Sequence, residues 1–309
     1  MPSGFRTDAI RVLVPASSAN IGPGFDSMGM ALAVYDELVA MVTEDEGVLV
    51  EVAGEGADDI PRDETHLVVR AMHVAFDAMG VRPPGFVLRC RNAIPHGRGL
   101  GSSASAIVGG MVLARAMVEG DAEFDDAALL AAASSMESHP DNLAAALYGG
   151  FTIAWLDDDT RPGAVRVAPH ESVRVVVIVP IDTLPTVTAR EVLPASVSYA
   201  AASHNLARSA LLVHALTAQP ELLWEATSDR LHQQARAGVY PASVALVERL
   251  RDAGHAAAIS GAGPSVIVLT ADSGAIESIA ATVGEDPSWV VREIPIASVG
   301  AHESPLDMS

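Results

Sequence analysis

The stretch Pro95-His-Gly-Arg-Gly-Leu-Gly-Ser-Ser-Ala-Ser105 combines three closely spaced glycines with serines, just where a helix-prone segment begins. Glycine lets the main chain turn tightly and brings bare N–H groups against a ligand. The segment from Ala104 to Met117 is predicted to continue as an apolar helix, whose N-terminal dipole favours an anion. The stretch therefore predicts a polyphosphate-binding loop and makes nucleotide binding the first functional hypothesis.

Several other nucleotide-binding and lysine-dependent classes do not fit this stretch. It lacks the Gly-Lys-Ser/Thr ending of the P-loop, and the chain contains no lysine at all. Walker-type NTPases, protein kinases and pyridoxal enzymes each use a lysine, so all three are disfavoured. The Gly-x-Gly-x-Gly spacing also differs from the dinucleotide-binding fingerprint. An alternative that involves no ligand is a tight turn followed by a serine that caps the helix.

Composition indicates an ordinary globular enzyme of 309 residues, of which 50% are hydrophobic, enough to bury a real core. The formal net charge of −20 disfavours nucleic acid and anionic membranes as partners, because both would be repelled. The single cysteine, Cys90, excludes a disulfide framework. Met1–Asp8 has no apolar signal region, and no window is long and apolar enough to span a bilayer. We expect a cytoplasmic protein.

Strand and helix patterns are grouped along the chain instead of alternating one by one, which is typical of an α+β fold. The run Asp157–Gly163 is predicted to be a solvated hairpin turn, and only the tail after Ala301 is predicted to be disordered. The predicted strands are Ile10–Pro15, Val48–Ala53, Phe86–Asn92, Phe151–Leu156, Val173–Pro180, Ala256–Ser260, Val266–Thr270 and Val290–Ile294. The predicted helices are Thr65–Met79, Asp125–Ser138 and Gly274–Val283, with a helix-rich stretch from Ala195 to Gly254.

Further motifs stand in order around the glycine-rich stretch, and together they resemble the galactokinase, homoserine kinase, mevalonate kinase and phosphomevalonate kinase (GHMP) superfamily. The resemblance spans about residues 9 to 295, and within the superfamily it is most specific to homoserine kinases. The motifs are Val14-Pro-Ala-Ser-Ser-Ala-Asn-Ile-Gly-Pro-Gly-Phe-Asp26, Glu137-Ser-His-Pro-Asp-Asn142, Thr186-Val-Thr-Ala-Arg190, Asp229-Arg-Leu-His-Gln-Gln-Ala-Arg236 and Ser260-Gly-Ala-Gly-Pro-Ser265.

The resemblance implies a two-domain kinase with its active site between the domains, and a homodimer. The N-terminal domain carries the phosphate loop and the C-terminal domain is ferredoxin-like; we place the boundary after Pro180, dividing residues 1–180 from 181–309. The implied cosubstrate is ATP with Mg²⁺, and the implied substrate is L-homoserine. The residues predicted to bind ATP are Pro95, His96, Gly97, Arg98, Gly99, Leu100, Gly101, Ser102, Ser103, Ala104, Ser105, Gly261 and Gly263.

Phosphoryl transfer needs a cation on the nucleotide phosphates, and Mg²⁺ prefers one or two carboxylates with hydroxyl and water oxygens. Ser103 and Glu137 are the predicted protein ligands of this cation, as in the kinases that the chain resembles. The alternative for Glu137 is a solvated carboxylate at a helix end, because Pro140 disfavours helix continuation through His139.

An amino-acid substrate demands a cation for its carboxylate and acceptors for its ammonium group. Arg190 and Arg236 are predicted to bind the carboxylate, since guanidinium favours bidentate contacts. Asn20, Asp26 and Asp141 are predicted to accept from the ammonium, and Thr186 is predicted to contact substrate. His139 and Asn142 are the predicted catalytic residues; the asparagine would orient the acceptor hydroxyl by accepting its hydrogen bond. Each residue also has a purely structural reading as a turn, surface or ion-pair residue.

Two alternatives stay open at this point. Another kinase of the superfamily, acting on mevalonate or a sugar, would share the phosphate loop but would not need three acceptors for an ammonium group. A catalytically dead ligand sensor would keep the fold but would be expected to lose Glu137 or the Gly99–Ser103 core, and this chain has kept both.

Overall fold

The computed structural model describes residues 4–120, 123–181 and 186–306, with backbone alone for residues 186–188. Its strands are β1 (Ile10–Asn20), β2 (Gly24–Thr43), β3 (Gly47–Gly54), β4 (Gly85–Asn92), β5 (Phe151–Leu156), β6 (Pro162–Val167), β7 (Arg174–Pro180), β8 (Ala256–Ile259), β9 (Val266–Thr270), β10 (Trp289–Glu293) and β11 (His302–Ser304). Its helices are α1 (Leu67–Ala78), α2 (Ser102–Met117), α3 (Asp126–Ser134), α4 (Pro140–Tyr148), α5 (Thr186–Glu191), α6 (Tyr199–Thr217), α7 (Leu223–Ala226), α8 (Pro241–Asp252) and α9 (Ala275–Val283).

The first sheet contains seven strands and is organised by β2. This strand pairs with β1 along most of its length, with β4 through its second half and with β5 near its start. β3 runs parallel to β4 at one edge, while β11 pairs with β1 at the other and β6 extends the branch begun by β5. Helices α1 to α4 bury their apolar residues against β1 and β2, which gives the largest core of the molecule.

The second sheet contains four antiparallel strands in the order β10-β7-β9-β8. A β-α-β-β-α-β chain order with the first and last strands adjacent inside the sheet is the ferredoxin-like arrangement, as predicted. One face packs on α8 and α9; the other packs on α6, α7 and buried residues of β1 and β2. The predicted domain boundary after Pro180 would place β7 in the N-terminal domain, although β7 pairs with β9 of the second sheet. A domain boundary before Arg174 would keep all strands of each sheet in one domain. The exact boundary stays a prediction.

The predicted α+β class and most predicted elements are confirmed, and two local expectations are wrong. Residues 302–304 of the tail after Ala301 form β11, which pairs with Arg11–Leu13, and residues 307–309 of that tail lie outside the described residues. The helix predicted for Asp125–Ser138 ends at Ser134, and turns follow in which Glu137 N donates to Ala133 O. Pro140 begins α4 at a position where its missing N–H costs nothing.

The hairpin turn predicted for Asp157–Gly163 is confirmed, since it joins β5 to β6 and the Asp157 carboxylate accepts from the N–H groups of Asp159 and Arg161. Within the described part of the chain, no helix is long and apolar enough to cross a membrane.

Candidate active site

A cavity of about 270 Å³ lies where the glycine-rich loop, the β1–β2 turn, α4, α5 and the loop after β8 meet. It brings together fourteen of the predicted site residues from distant parts of the sequence. They are Asn20, Asp26, Gly97, Gly99, Gly101, Ser102, Ser103, Glu137, His139, Asp141, Asn142, Arg190, Arg236 and Gly261.

The glycine-rich loop has the left-handed backbone that its sequence predicts. Gly97, Gly99 and Gly101 have φ values of 63°, 74° and 71°, a region that favours glycine. A Cβ on Gly99 would lie 2.3 Å from Ser260 O, and one on Gly101 would lie 2.0 Å from Ser17 Oγ. These two glycines are therefore required for space as well as for conformation.

Helix α2 begins directly after the loop with an open N-terminus. Its N-cap residue is Gly101, which provides no side-chain hydrogen bond, so a capping serine is not what ends the loop. Free N–H groups at a helix N-terminus attract anions. Ser103 is exposed on the first turn and its Oγ donates to Glu137 Oε2 at 3.0 Å.

Glu137 lies in the turn between α3 and α4, half-buried beside the loop. Burial raises the pKa of its carboxyl, against the lowering effects of the Ser103 hydrogen bond and the Arg190 charge. Within the described ranges, no group of three or more His, Cys, Asp or Glu side chains is arranged to hold a metal ion. A cation here would need ligands from a bound molecule besides Ser103 and Glu137.

Asp36, a residue that the sequence analysis missed, holds both ends of the loop. Its carboxylate accepts from Ala93 N at 2.7 Å and Ile94 N at 3.0 Å, just before the loop. Ser105 Oγ, at the C-terminal end of the glycine-rich stretch, donates to the same carboxylate at 3.4 Å. Burial raises the Asp36 pKa, opposed mainly by the two backbone bonds. Its one sequence signal is an acidic residue that follows the apolar run Ala31–Tyr35 and precedes Glu37.

A second cavity of about 310 Å³ adjoins the outer side of the loop and has mostly apolar walls. It shares Ser102 and Ser103 with the first cavity, so an elongated ligand can occupy both. Its other lining residues include His96, Ser105, Val14, Leu38, Ile60, Pro61, His66, Leu67 and Val68. The sequence analysis did not identify this cavity, whose lining comes from β1, β2, α1 and the segment between β3 and α1.

The opposite end of the first cavity carries a charged pair. Arg190 Nη2 lies 2.8 Å from Asp26 Oδ1, and Nη1 lies 3.3 Å from Oδ2. His139 Nε2 approaches the same carboxylate at 3.8 Å. Burial lowers the pKa of this imidazole, while Asp26 raises it. The site thus presents a cation and an anion side by side, both accessible from the cavity.

Asn20 braces the turn that carries Asp26. Its Oδ1 accepts from Asp26 N at 3.0 Å and its Nδ2 donates to Gly261 O at 2.7 Å. Both residues have positive φ values, 66° and 55°, which Asn and Asp tolerate better than most residues. The amide of Asn20 is therefore engaged within the protein on both sides.

Arg236 is buried at the wall of the cavity, with 1% of its surface exposed. Its Nε donates to Ala189 O at 2.9 Å, next to Arg190 on α5. Its Nη1 lies 3.0 Å from His232 Nδ1. Thr186, the other predicted substrate residue of this region, has a side chain outside the described residues.

The first turn of α4 places Asp141 and Asn142 between the two ends of the cavity. Asp141 is 3% exposed, and burial raises the pKa of its carboxyl to about 7. Asn142 Oδ1 already accepts from Ser17 Oγ at 2.9 Å, which leaves its Nδ2 as the free donor. Because an amide oxygen can accept two hydrogen bonds, Oδ1 can still accept from a hydroxyl while Nδ2 donates, and the expected role of Asn142 stays a prediction.

Other predicted ATP-binding residues lie outside the first cavity. Arg98 turns away from it and donates to the carbonyls of Pro180 at 2.9 Å and Ile181 at 2.5 Å, so only its backbone is available to a phosphate. His96 and Ser105 line the second cavity, whereas Pro95 and Leu100 line a third, near β7 and β10. Ala104 is buried in α2, and Gly263 faces the Tyr240 ring.

Comparison with known proteins gives matches over nearly the whole chain. Two family models match it, GHMP kinases N terminal domain at residues 66–150 and GHMP kinases C terminal at residues 207–287. A homoserine kinase of Streptomyces coelicolor is 50% identical over 303 residues, which cover 98% of this chain and 96% of that protein. A homoserine kinase of Mycobacterium tuberculosis is 45% identical over 306 residues, 94% of this chain and 96% of that protein.

Solved structures share the fold at lower identity. A crystal structure of homoserine kinase from Cytophaga hutchinsonii gives a TM-score of 0.86 at 24% identity and covers 98% of this chain and 100% of that one. Mevalonate kinase of L. major in complex with R-mevalonate gives a TM-score of 0.69 at 15% identity, with 96% and 98% covered. These scores show that the chain shares the fold of both proteins.

Proposed function

This chain belongs to the homoserine kinases of the GHMP superfamily, and from that membership we infer the reaction of its cleft. The protein is an ATP-dependent small-molecule kinase. We propose that it transfers the γ-phosphoryl group of ATP to the side-chain hydroxyl of L-homoserine, which forms O-phospho-L-homoserine for threonine biosynthesis.

The charged pair at one end of the cavity carries this proposal. An amino acid has one carboxylate and one ammonium group, and Arg190 and Asp26 offer the complementary charges 2.8 Å apart. Without substrate, the two residues neutralise each other. We propose that substrate separates them, with its carboxylate on Arg190 and Arg236 and its ammonium group on Asp26 and Asp141. A substrate with a carboxylate alone would leave the acidic side chains without a cation.

The glycine-rich loop at the other end suits the phosphates of ATP. Gly97, Gly99 and Gly101 line the cavity together with Ser102 and Ser103 at the N-terminus of α2, where free backbone N–H groups attract anions. The apolar second cavity beside Ser102 suits the nucleoside, because such sites are lined mainly by apolar side chains. The γ-phosphate would then lie toward Asp141 and Asn142.

Ser103 and Glu137 fit Mg²⁺ as it is bound in kinases, where one or two protein oxygens complement the substrate phosphates. We propose that they hold the ion together with ATP. The ion supplies charge neutralisation for the phosphates. Ser103 and Glu137 fix where that charge lies relative to α2.

Positioning by this chain's own residues accounts for the transfer without a strong base. Phosphoryl transfer has a loose transition state in which early proton removal contributes little. The free Nδ2 of Asn142 can donate to the transferring group or to the acceptor oxygen, and its orientation is set by Ser17. We assign Asp141 to the substrate ammonium, which favours its ionised form.

A coupled ADP-release assay with L-homoserine, mevalonate, galactose and no acceptor tests the proposal. We expect turnover with homoserine well above the other three. Arg190→Ala should raise KM for homoserine, whereas Arg89→Ala, at an exposed pair with Glu51, should not. Turnover with mevalonate or galactose equal to that with homoserine would contradict the substrate assignment.

The homodimer and the cytoplasmic location rest on the family resemblance and the sequence, and both remain proposals. Sedimentation velocity of the purified chain tests the dimer, and fractionation of the source cells tests the location.

A further inference from the structure

His232 lies behind the amino-acid end of the cavity, where three segments meet. It has 1% of its surface exposed and does not line the cavity itself. The β1–β2 turn and the stretch from Asp229 to Arg236 contact it directly, and α5 is linked to it through Arg236, which donates to Ala189 O. No part of the proposed chemistry uses His232, although it contacts residues on both sides of the substrate site.

The contacts of His232 determine which ring nitrogen carries the proton. Its Nε2 lies 2.8 Å from Gly22 O, which can only accept a hydrogen bond. Its Nδ1 lies 3.0 Å from Arg236 Nη1, which can only donate. The neutral ring protonated on Nε2 is therefore the one form that satisfies both partners.

The surrounding groups are consistent with a neutral ring. Burial lowers the pKa of His232 and the Arg236 charge lowers it further, whereas Asp229, Asp26 and the bond to Gly22 raise it. The Asp229 carboxylate lies 3.7 Å from Nε2 but already accepts from the N–H groups of residues 231 to 233 and from Asn205. That carboxylate is thus largely satisfied without a cationic imidazole.

Each partner of His232 fixes a part of the substrate site. Arg236 is held between Nδ1 and Ala189 O, which sets the direction of its guanidinium beside Arg190. Gly22 has a φ of 81° and stands where any Cβ would lie 2.3 Å from Thr227 O. Its turn carries Asn20 on one side and Asp26 on the other. The bond from His232 to Gly22 O therefore helps to fix the position of both residues.

We propose that His232 is a positioning residue that holds the carboxylate-binding and ammonium-binding groups at a fixed separation. As the neutral Nε2–H form it accepts from Arg236 and donates to Gly22, and so ties the two halves of the amino-acid site together. The proposal rests on the assignment of this end of the cavity to homoserine. A packing role alone, through the Phe25 ring stacked at 5.1 Å, would need neither nitrogen.

Side-chain ¹⁵N NMR of the histidines tests the contacts in the whole protein without substrate. The signal lost in His232→Asn identifies the residue, and we expect the chemical shifts of an Nε2–H ring with an unprotonated Nδ1 at pH 7.5. An Nδ1–H ring or a cationic ring would overturn the proposal. Because this measurement needs no turnover, a wild-type protein inactive toward homoserine would refute the proposed function but not these contacts.

Steady-state kinetics of two variants test the positioning role. His232→Leu keeps apolar packing and removes both hydrogen bonds; we expect KM for homoserine to rise ~10-fold or more, with KM for ATP within about twofold. His232→Asn keeps an oxygen near the Nδ1 position, so it should recover most of the homoserine affinity. His255→Leu, at a histidine outside both cavities, is the matched control and should leave both KM values unchanged.

The outcomes of these kinetics are distinguishable. A homoserine KM in His232→Leu equal to that of wild type overturns the positioning role. Equal losses in His232→Leu and His232→Asn, with the KM for ATP raised alongside, indicate a general packing defect and overturn it as well. If His232→Leu does not fold, the comparison of His232→Asn with wild type and the NMR tautomer decide the question.

Discussion

Asp141→Asn should change how the stability of this protein depends on pH. In the wild type, burial raises the pKa of Asp141 to about 7 from its usual 3.8. A carboxyl that holds its proton more tightly in the folded state favours folding at low pH. That contribution is lost as the pH rises from about 4 through about 7, because the folded protein must then bury a charge.

The structure gives the size of this effect. Each pKa unit corresponds to about 1.4 kcal/mol, so the full shift of about three units amounts to ~4 kcal/mol. About 3 kcal/mol of it falls between pH 5 and pH 8, where the unfolded carboxyl is already ionised and the folded one is not. This is a large part of the 5–15 kcal/mol by which a typical domain is stable. Asparagine cannot ionise, so Asp141→Asn removes this pH-dependent contribution to stability.

Urea unfolding at pH 5 and pH 8, followed by circular dichroism, measures the effect. We expect the free energy of unfolding of Asp141→Asn, minus that of wild type, to increase by about 3 kcal/mol from pH 5 to pH 8, because only the wild type loses stability over this range. Asp58→Asn, at an exposed carboxyl, controls for the loss of one surface charge. A difference between Asp141→Asn and wild type that stays constant with pH would refute the assignment of a raised pKa to Asp141.

The remaining predictions concern substrate and nucleotide binding. Arg190→Ala should raise KM for homoserine ~10–100-fold, because a charge-assisted hydrogen bond is lost, and should leave KM for ATP nearly fixed. Unchanged homoserine kinetics would refute the role of Arg190, and Arg89→Ala is the control. Glu137→Gln should lower kcat and shift the Mg²⁺ titration of activity to higher concentration, and a normal titration would assign the metal to another carboxylate. Gly101→Ala should weaken ATP binding measured by calorimetry, since its Cβ would meet Ser17 Oγ at 2.0 Å. Gly80→Ala, at a similar φ of 68° but with open space around its Cβ, should leave ATP binding intact.

Local features of the fold were predictable because neighbouring residues decide them. The three loop glycines adopt positive φ as their spacing predicts, and β5 matches its predicted bounds from Phe151 to Leu156. The 20-residue strand β2 was not predicted, since its residues alternate poorly. Pairing with three other strands stabilises it, and that pairing is invisible in a local window.

The sequence by itself determined the phosphate loop, the membership in a kinase family and the set of charged residues that meet in the cavity. Motifs carry this information because the same residue types at the same spacing serve the same chemistry. The tertiary structure alone decided what each of those side chains contacts. Arg98 turns to the carbonyls of Pro180 and Ile181. Asp36, which lies outside every motif, holds the loop, and His232, which lies within a motif but received no predicted role, contacts the amino-acid site.

The burial of Asp141 was also decided by the tertiary structure alone. Its neighbours in the sequence give no sign that its carboxyl is withdrawn from water, because β2 packs against the start of α4 at Gly29, and Asp26, Glu137 and Arg190 act on the carboxyl from other segments. The pKa of a carboxyl depends on how many water molecules remain within reach, and in a folded chain that number is set by segments far away in sequence.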